Sequence, residues 1–522
     1  MIAIWPLTLF YSLEVLPDFR NATLNRLNVI PTKTIVSPEF FLSQRFSRQL
    51  KSIENYATSV LRVLVEDDVK GQFFRASEIP RRVASLMEVS RKIAEIEQQM
   101  SQSSNDSTQA SIYNMKTVSK LQQLAPSVNW TSFILSVLPP DVQIKISLEN
   151  MMINILDVRS IEKVERLISG LNSTLLLDYM EWRVVLSQVN NLDERFLSIW
   201  KNYQEEALGI KAQQPQWIFC QETTLLMFPE MANYFYINEY FSNENYNQLK
   251  QMIENIRQSF KKLIYESLWL DEATKSKSLL KLNSILSWNF VNMMHAVKRW
   301  NYDHEFKQLV EANIRESFNF PPPESNAFYI PTRNQIGQDT KAALNYGGIG
   351  IVIGHEITHA FDNEGSRYDE LGNMNNWWDN RTRASFRQLQ ECFIKQYSEI
   401  EVYNTNGMKI DGKRTLTENI ADNGGIRAAY KAMERAIQNN TSKQVKIRGL
   451  EEYEADQLFF INFAYTWCSN TRQEAAPVLL VDDDHSPSRE RVNTALKNQE
   501  EYLQAFNCHN PNTQQEQQCR LW

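Results

Sequence analysis

His355, Glu356 and His359 carry the clearest chemistry in the chain, inside the apolar run Ile351–Phe361. If that run is helical, the two histidines sit at i and i+4 and both rings leave one face. Two neutral imidazoles so placed can share one Zn²⁺ at about 2.0–2.1 Å. Glu356 directly follows the first ligand. There its carboxylate can reach a water at the metal without ligating the metal, which suits a general base. A helix that pairs His and Glu only for packing is the competing reading. With six histidines in 522 residues, this spacing is improbable by accident.

A catalytic zinc takes three protein ligands and keeps a fourth position open. Glu418, in Leu416–Gly425, can supply the third from a second helix. Asp422 lies at i+4 on the same face and can orient one of the histidines. Thr415-x-x-Glu418 also fits a capping box, in which Glu418 only caps the helix. The residue types leave these two open. Asp362, three residues past His359, is a candidate acceptor for a ring N–H, or else a solvated helix-end acid. Asp482, Asp483 and Asp484 precede His485. Such acids favour the imidazolium, and a cationic His beside zinc can stabilise an oxyanion. Arg491 could bind a peptide carbonyl or carboxylate. The alternative for this stretch is a surface acidic loop. Upstream, Asn326–Ile330 is a short β-like run, either an ordinary edge strand or one that pairs with an extended peptide.

The elements that must hold these residues are mostly helical. Leu50, Ile53, Ala57, Val60, Leu61 and Leu64 form one stripe, read as core packing, within a helical region from Phe40 to Met100. Residues 1–40 carry Pro6, Pro17, Pro31 and Pro38 and read as extended or irregular. Ser101–Ser111 reads as an exposed loop. Residues 112–285 read as further helices, with the best periodicity over Asn172–Ser198 and Tyr246–Leu270, and carry no phosphate loop, dinucleotide fingerprint or internal repeat. The prolines 321–323 end the helices at a junction. The length implies two or three domains. A net charge of −7 argues against nucleic acid or an anionic membrane as partner. No run of 18 apolar residues is present, so nothing is expected to span a membrane, and Met1–Leu16 lacks the basic start of a signal peptide. Five cysteines without CxxC spacing suggest disulfides or inert thiols, with at least one left over. Sequons at Asn21, Asn105, Asn129, Asn172, Asn380, Asn439 and Asn440 favour the secretory route.

Asn326–Tyr329, Arg333–Ile336, Leu344–Phe361, Glu418–Gly425, Phe459–Ala464, Trp467-Cys468, His485-Ser486-Pro487 and the ending Cys519–Trp522 together resemble the neprilysin family of zinc metallopeptidases, M13. The match is dense from Asn326 to Trp522 and diffuse before it. The resemblance implies a mainly α, two-lobed ectodomain. Residues 1–300 would form a helical cover lobe. Residues 301–522 would form a thermolysin-like zinc catalytic lobe with a small β-sheet. It implies one zinc per chain, held by His355, His359 and Glu418, with Glu356 as general base and Asp422 behind a ligating His. His485 would stabilise the transition state, held by Asp483, while Asn326, Ala327 and Arg491 would bind substrate. It implies a Cys392–Cys519 disulfide and leaves Cys220, Cys468 and Cys508 without partners. The implied activity is endopeptidase cleavage of small peptides before hydrophobic residues, at an extracellular or plasma-membrane location. The chain departs from the family pattern in lacking the anchor or signal and the cysteine-rich start. The segment between Ile336 and Leu344 is short, leaving Ile351, Val352, Thr466 and Trp467 of a substrate pocket, and the stretch Lys281–Trp300 is contracted. It therefore reads as a truncated member, and the alternative to an active enzyme is a folded, catalytically inert zinc-binding ectodomain.

Overall fold

The structure is a computed structural model that describes residues 9–68, 70–71, 74–104, 112–189, 192–211, 215–227, 243–287, 327–330, 335–338, 346–438, 450, 452–508 and 518–522. It is mainly α, as expected. The first 40 residues are more regular than the prolines suggest. β1 (Tyr11–Asp18) and β2 (Asn21–Pro31) pair antiparallel from Tyr11↔Pro31 onward. Pro17 sits where the register slips and Pro31 ends its strand, positions at which a missing N–H costs little. The hairpin buries Val15, Leu27 and Val29 and joins β3 (Met115–Thr117) and β4 (Met152–Ile155) in the order β1-β2-β4-β3.

The apolar stripe after it becomes α1 (Ser47–Asp67), which packs Ala57, Val60 and Leu61 against Ile79, Val83 and Leu86 of α2 (Ile79–Ser104). Helix α2 takes in 101–104, which the sequence assigns to a loop. The rest of that loop lies outside the described residues. After α3 (Val158–Gly170), the periodic stretch 172–198 resolves into α4 (Ser173–Gln188) and α5 (Glu194–Leu208). Asp193 starts the second by accepting from the Arg195 N–H, a local cap that a long-range apolar period does not register.

A second core surrounds the histidines. It draws on α6 (Asn243–Glu266) and α7 (Glu272–Ser284) as well as on the chain from Tyr346 onward. Ile256, Phe260, Leu263 and Leu282 are fully or almost fully buried there, beside Phe361 and Trp522. This core thus begins well before residue 300, because the buried faces of α6 and α7 decide where they pack. The proline cluster at 321–323 lies outside the described residues. β5 (Leu286–Ser287), β6 (Ala327–Ile330) and β7 (Gln335–Gln338) form a small sheet ordered β5-β7-β6, lying against α8 (Ile351–His359). β6 is an edge strand among the described residues.

Helix α8 follows a π-turn at Tyr346–Gly350 and crosses the long α10 (Leu416–Gln438). Between them in sequence, α9 (Asn380–Ser398) starts from an Asp379 cap and carries Cys392. The crossing of α8 and α10 is almost bare backbone. A Cβ on Gly354 would sit 2.6 Å from the Gly425 carbonyl oxygen, and one on Gly425 would sit 2.5 Å from the His355 nitrogen. Only glycine permits this approach, and it brings the first turn of α10 beside the histidines. Among the described residues, four further helices follow: α11 (Ala455–Thr466), α12 (Ala476–Asp482), α13 (Ser488–Lys497) and α14 (Glu500–Ala505). The Cys392–Cys519 disulfide ties the C-terminal segment to α9, and Cys220, Cys468 and Cys508 are exposed free thiols. Between the two cores, the turn after β1 docks on the loop after α8. The Met374 N–H donates to the Phe19 carbonyl, and the Ala22 N–H donates to Asn373 Oδ1 at 2.8 Å.

Candidate metal centre

Helix α8 is apolar on most of its surface and sits inside the core, so its polar side chains are there at a cost. His355 is 7% exposed and Glu356 4%. The His355 Nδ1 lies 2.9 Å from Asp422 Oδ1, and the His359 Nδ1 lies 2.6 Å from Asp362 Oδ2. Each carboxylate can only accept, so each Nδ1 carries a proton, and a neutral ring then presents its Nε2 lone pair. Those two Nε2 atoms face one another at 3.0 Å. Glu418 Oε2 stands 3.1 Å from the first and 3.6 Å from the second. It is buried, and none of its imidazole neighbours is aligned as a hydrogen bond to it.

With both rings neutral, three sets of lone pairs converge here, and they repel unless a proton or a metal cation sits among them. A tetrahedral metal bonded at about 2.0–2.1 Å to each donor would hold those donors about 3.3–3.4 Å apart. The observed 3.0, 3.1 and 3.6 Å bracket that value. Two imidazoles and one carboxylate are a donor set of the kind catalytic zinc takes. The residues therefore fit zinc.

The electrostatics point the same way. Burial and the mutual repulsion of the imidazoles oppose protonation of His355, yet Asp422 and Glu418 raise its pKa above the usual value. His359 is raised well above it by Asp362 and Glu418, against burial. Burial also opposes ionisation of Glu418, but the surrounding imidazoles hold it far below the usual carboxylate range. A site that favours a proton between these groups also favours a divalent cation there.

Glu356 also stands beside the two histidines. One of its oxygens lies within 4.8 Å of a ring nitrogen of each histidine. Its Oε2 is buried without a partner, and burial raises its pKa. A carboxylate in that state is poised to accept a proton from a water or substrate entering the site.

Around this centre, His485 places Nε2 3.0 Å from Glu418 Oε2 and Nδ1 2.8 Å from Asp483 Oδ1. The neighbouring carboxylates of Asp483 and Glu418 push its pKa up to about 9, which favours the imidazolium at neutral pH. The loop before α13 is fixed from beneath. Ser486 Oγ donates to Asn419 Oδ1 at 2.7 Å, and Asn419 Nδ2 donates to Thr415 Oγ1 at 2.9 Å. Arg491 is 5% exposed and already engaged: Nε and Nη2 donate to the two oxygens of Asp422 at 2.8 and 2.7 Å. Burial works against the Asp422 carboxylate, but Arg491 and His355 hold its pKa down to about 2. The Arg491 guanidinium lies 3.8 Å from the Trp467 ring centroid, at the wall of a cavity of about 320 Å³ that His485 and Tyr403 also line.

The structure thus gathers His355, Glu356, His359, Asp362, Glu418, Asp422, Asp483, His485 and Arg491 in one place. The Glu418 side chain turns towards the histidines, and Arg491 is spent first on Asp422. Ala327 opens β6 and pairs with Gln338, and Asn326 lies outside the described residues. Sequence reasoning missed Ser486 and Asn419 as supports. Neither carries a spacing signal, because their contact joins positions 67 apart.

Residues 3–287 and 326–521 match the two sequence profiles of Peptidase family M13. Among curated proteins, the chain is 29% identical to neprilysin-11 of Caenorhabditis elegans, over 98% of this chain and 65% of the relative. It is 30% identical to endothelin-converting enzyme 1 of Rattus norvegicus, over 96% of this chain and 68% of the relative. The chain spans about two thirds of the length of these relatives. Among solved structures it is similar to the Mycobacterium tuberculosis zinc metalloprotease Zmp1 in complex with an inhibitor (TM-score 0.80, 20% identity), covering 96% of this chain and 78% of that one. It is also similar to PepO from Lactobacillus rhamnosis (TM-score 0.77, 21% identity), covering 99% of this chain and 82% of that one. At these identities the likeness is one of fold.

Proposed function

Because the chain belongs to peptidase family M13, a family of metalloendopeptidases, we propose that it is a zinc-dependent endopeptidase hydrolysing small peptides on the amino side of hydrophobic residues. The observation that carries this reading is the convergence of His355 Nε2, His359 Nε2 and Glu418 Oε2 beside the unpartnered carboxylate of Glu356. His355, His359 and Glu418 would hold the metal, oriented by Asp422 and Asp362. Zinc bound there would supply Lewis acidity towards a peptide carbonyl and a water.

The remaining chemistry falls to the chain's own groups. Glu356 takes the proton of the attacking water on its free oxygen and passes it to the leaving amine. His485, kept cationic by Asp483, donates a hydrogen bond to the carbonyl oxygen as that atom gains charge. Arg491 holds Asp422 and lends positive potential to the cavity wall. The edge strand β6, starting at Ala327, offers backbone groups to an extended peptide. The division into a cover lobe and a catalytic lobe is part of the same reading, with α6 and α7 contributing to the catalytic core. An extracellular or plasma-membrane location is supported by the Cys392–Cys519 disulfide, a bond that persists in oxidising compartments. Among the described residues no helix is long and apolar enough to cross a membrane. The alternative of an inert zinc-binding ectodomain gives Glu356 no task, and a buried unpaired carboxylate is costly to keep without one. Mapping the cut positions in a mixed peptide library tests the specificity. Cuts before hydrophobic residues are expected, and cuts without that preference would overturn it.

A further inference from the structure

We propose that Lys281 on α7 is a positioning residue for the metal centre: it fixes the turn that orients Asp362, and through Asp362 the ring of His359. This rests on the zinc reading above. Lys281 is 1% exposed, and its Nζ donates to the carbonyls of Gly365 at 2.7 Å and Tyr368 at 2.5 Å. It also stands 5.7 Å from the ring centroids of Phe361 and Trp377. Both carbonyls belong to the single 3-10 turn Gly365–Arg367 and the residue that closes it.

That turn is the cradle of Asp362. The N–H groups of Glu364 and Gly365 donate to Asp362 Oδ1 at 2.8 and 2.7 Å, which leaves Oδ2 for His359 Nδ1 at 2.6 Å. Gly365 is therefore held at both ends, by Lys281 at its carbonyl and by Asp362 at its N–H. It has no slack in between, since a Cβ on Gly365 would lie 1.8 Å from the His359 carbonyl oxygen. A shift of this turn moves Asp362, and the His359 ring follows. Burying an ammonium is far more costly than burying a methionine of similar length. Packing alone would not favour a lysine here, whereas two backbone acceptors in a turn that must not move would. Lys281 also lies in the first of the two matched segments, outside 326–521. The catalytic segment is on this view incomplete without α7.

The test uses the full chain, stripped of metal and titrated with zinc against a chelating dye. The variants are Lys281→Met, Asp362→Ala, the double variant, and Leu121→Ala as a remote core control. Lys281→Met is expected to weaken zinc binding about 10- to 100-fold, as the loss of an orienting group behind a ligand does. In the Asp362→Ala background it should add little, because its effect passes through Asp362. Leu121→Ala should lower the thermal midpoint of the zinc-free protein and leave zinc affinity unchanged. Wild-type zinc affinity in Lys281→Met, a loss matched by the control, or full additivity with Asp362→Ala would each overturn the proposal. If Lys281→Met does not fold, Lys281→Gln, which keeps a donor but is too short to span both carbonyls, is read by the same criteria. A wild-type protein that binds no zinc would instead sink the reading of the centre itself, and that failure shows without any variant.

Discussion

Replacing Asp422 with asparagine should separate what holds the fold from what holds the metal. Asp422 Oδ1 receives both His355 Nδ1 and Arg491 Nη2, and Oδ2 receives Arg491 Nε. Asparagine keeps the shape and one acceptor. Its NH₂ must then face either Arg491 Nε, or Arg491 Nη2 together with His355 Nδ1, donor against donor. In either placement Arg491 stays buried without the carboxylate it is paired with. Breaking a buried pair in this way costs about 3–5 kcal/mol. That is a large share of the roughly 5–15 kcal/mol that stabilises a domain. Loss of the carboxylate behind His355 should also weaken zinc binding about 10- to 100-fold. Urea unfolding of the metal-free protein reads the first quantity, and zinc competition reads the second. Adding Arg491→Met removes the stranded cation and should recover most of the stability, while zinc affinity stays low. If Asp422→Asn costs less than about 1 kcal/mol and binds zinc as the wild type does, the Asp422 carboxylate is a bystander and the electrostatic account of the site is wrong.

Other predictions follow from the same geometry. Gly425→Ala places a methyl against the His355 backbone, and such overpacking should cost about 1–3 kcal/mol. By moving Glu418 it should weaken zinc binding more than its stability loss accounts for. Unchanged zinc affinity would show that the crossing distance does not set the site. Reducing the Cys392–Cys519 bond, or replacing both residues with serine, opens a loop of 127 residues. In the chain-entropy view this removes about 5 kcal/mol. A thermal midpoint that does not fall would place the contribution of that bond elsewhere.

What was legible in the sequence was what is local. The i, i+4 placement of His355 and His359, and the stripe that became α1, follow from one helical period. The capping ambiguity at Glu418 could not be broken locally. The alternatives differ only in where α10 lies relative to α8, which is decided at Gly354 and Gly425. The β1–β2 hairpin was obscured because its prolines sit at strand ends, where they do no harm. Lys281 gave no signal, since a lone lysine 84 residues from its acceptor has no pattern. The α6 and α7 packing was hidden for a similar reason: their apolar faces declare burial but not a partner.

The most direct test of the central claim is hydrolysis of an internally quenched peptide by the purified chain, with and without a zinc chelator, beside Glu356→Gln. The account predicts chelator-sensitive cleavage restored by zinc, and a Glu356→Gln protein that binds zinc normally but turns over at least about 10²- to 10⁴-fold more slowly. A folded, zinc-loaded wild type that cleaves nothing, or a Glu356→Gln variant with wild-type turnover, would contradict it.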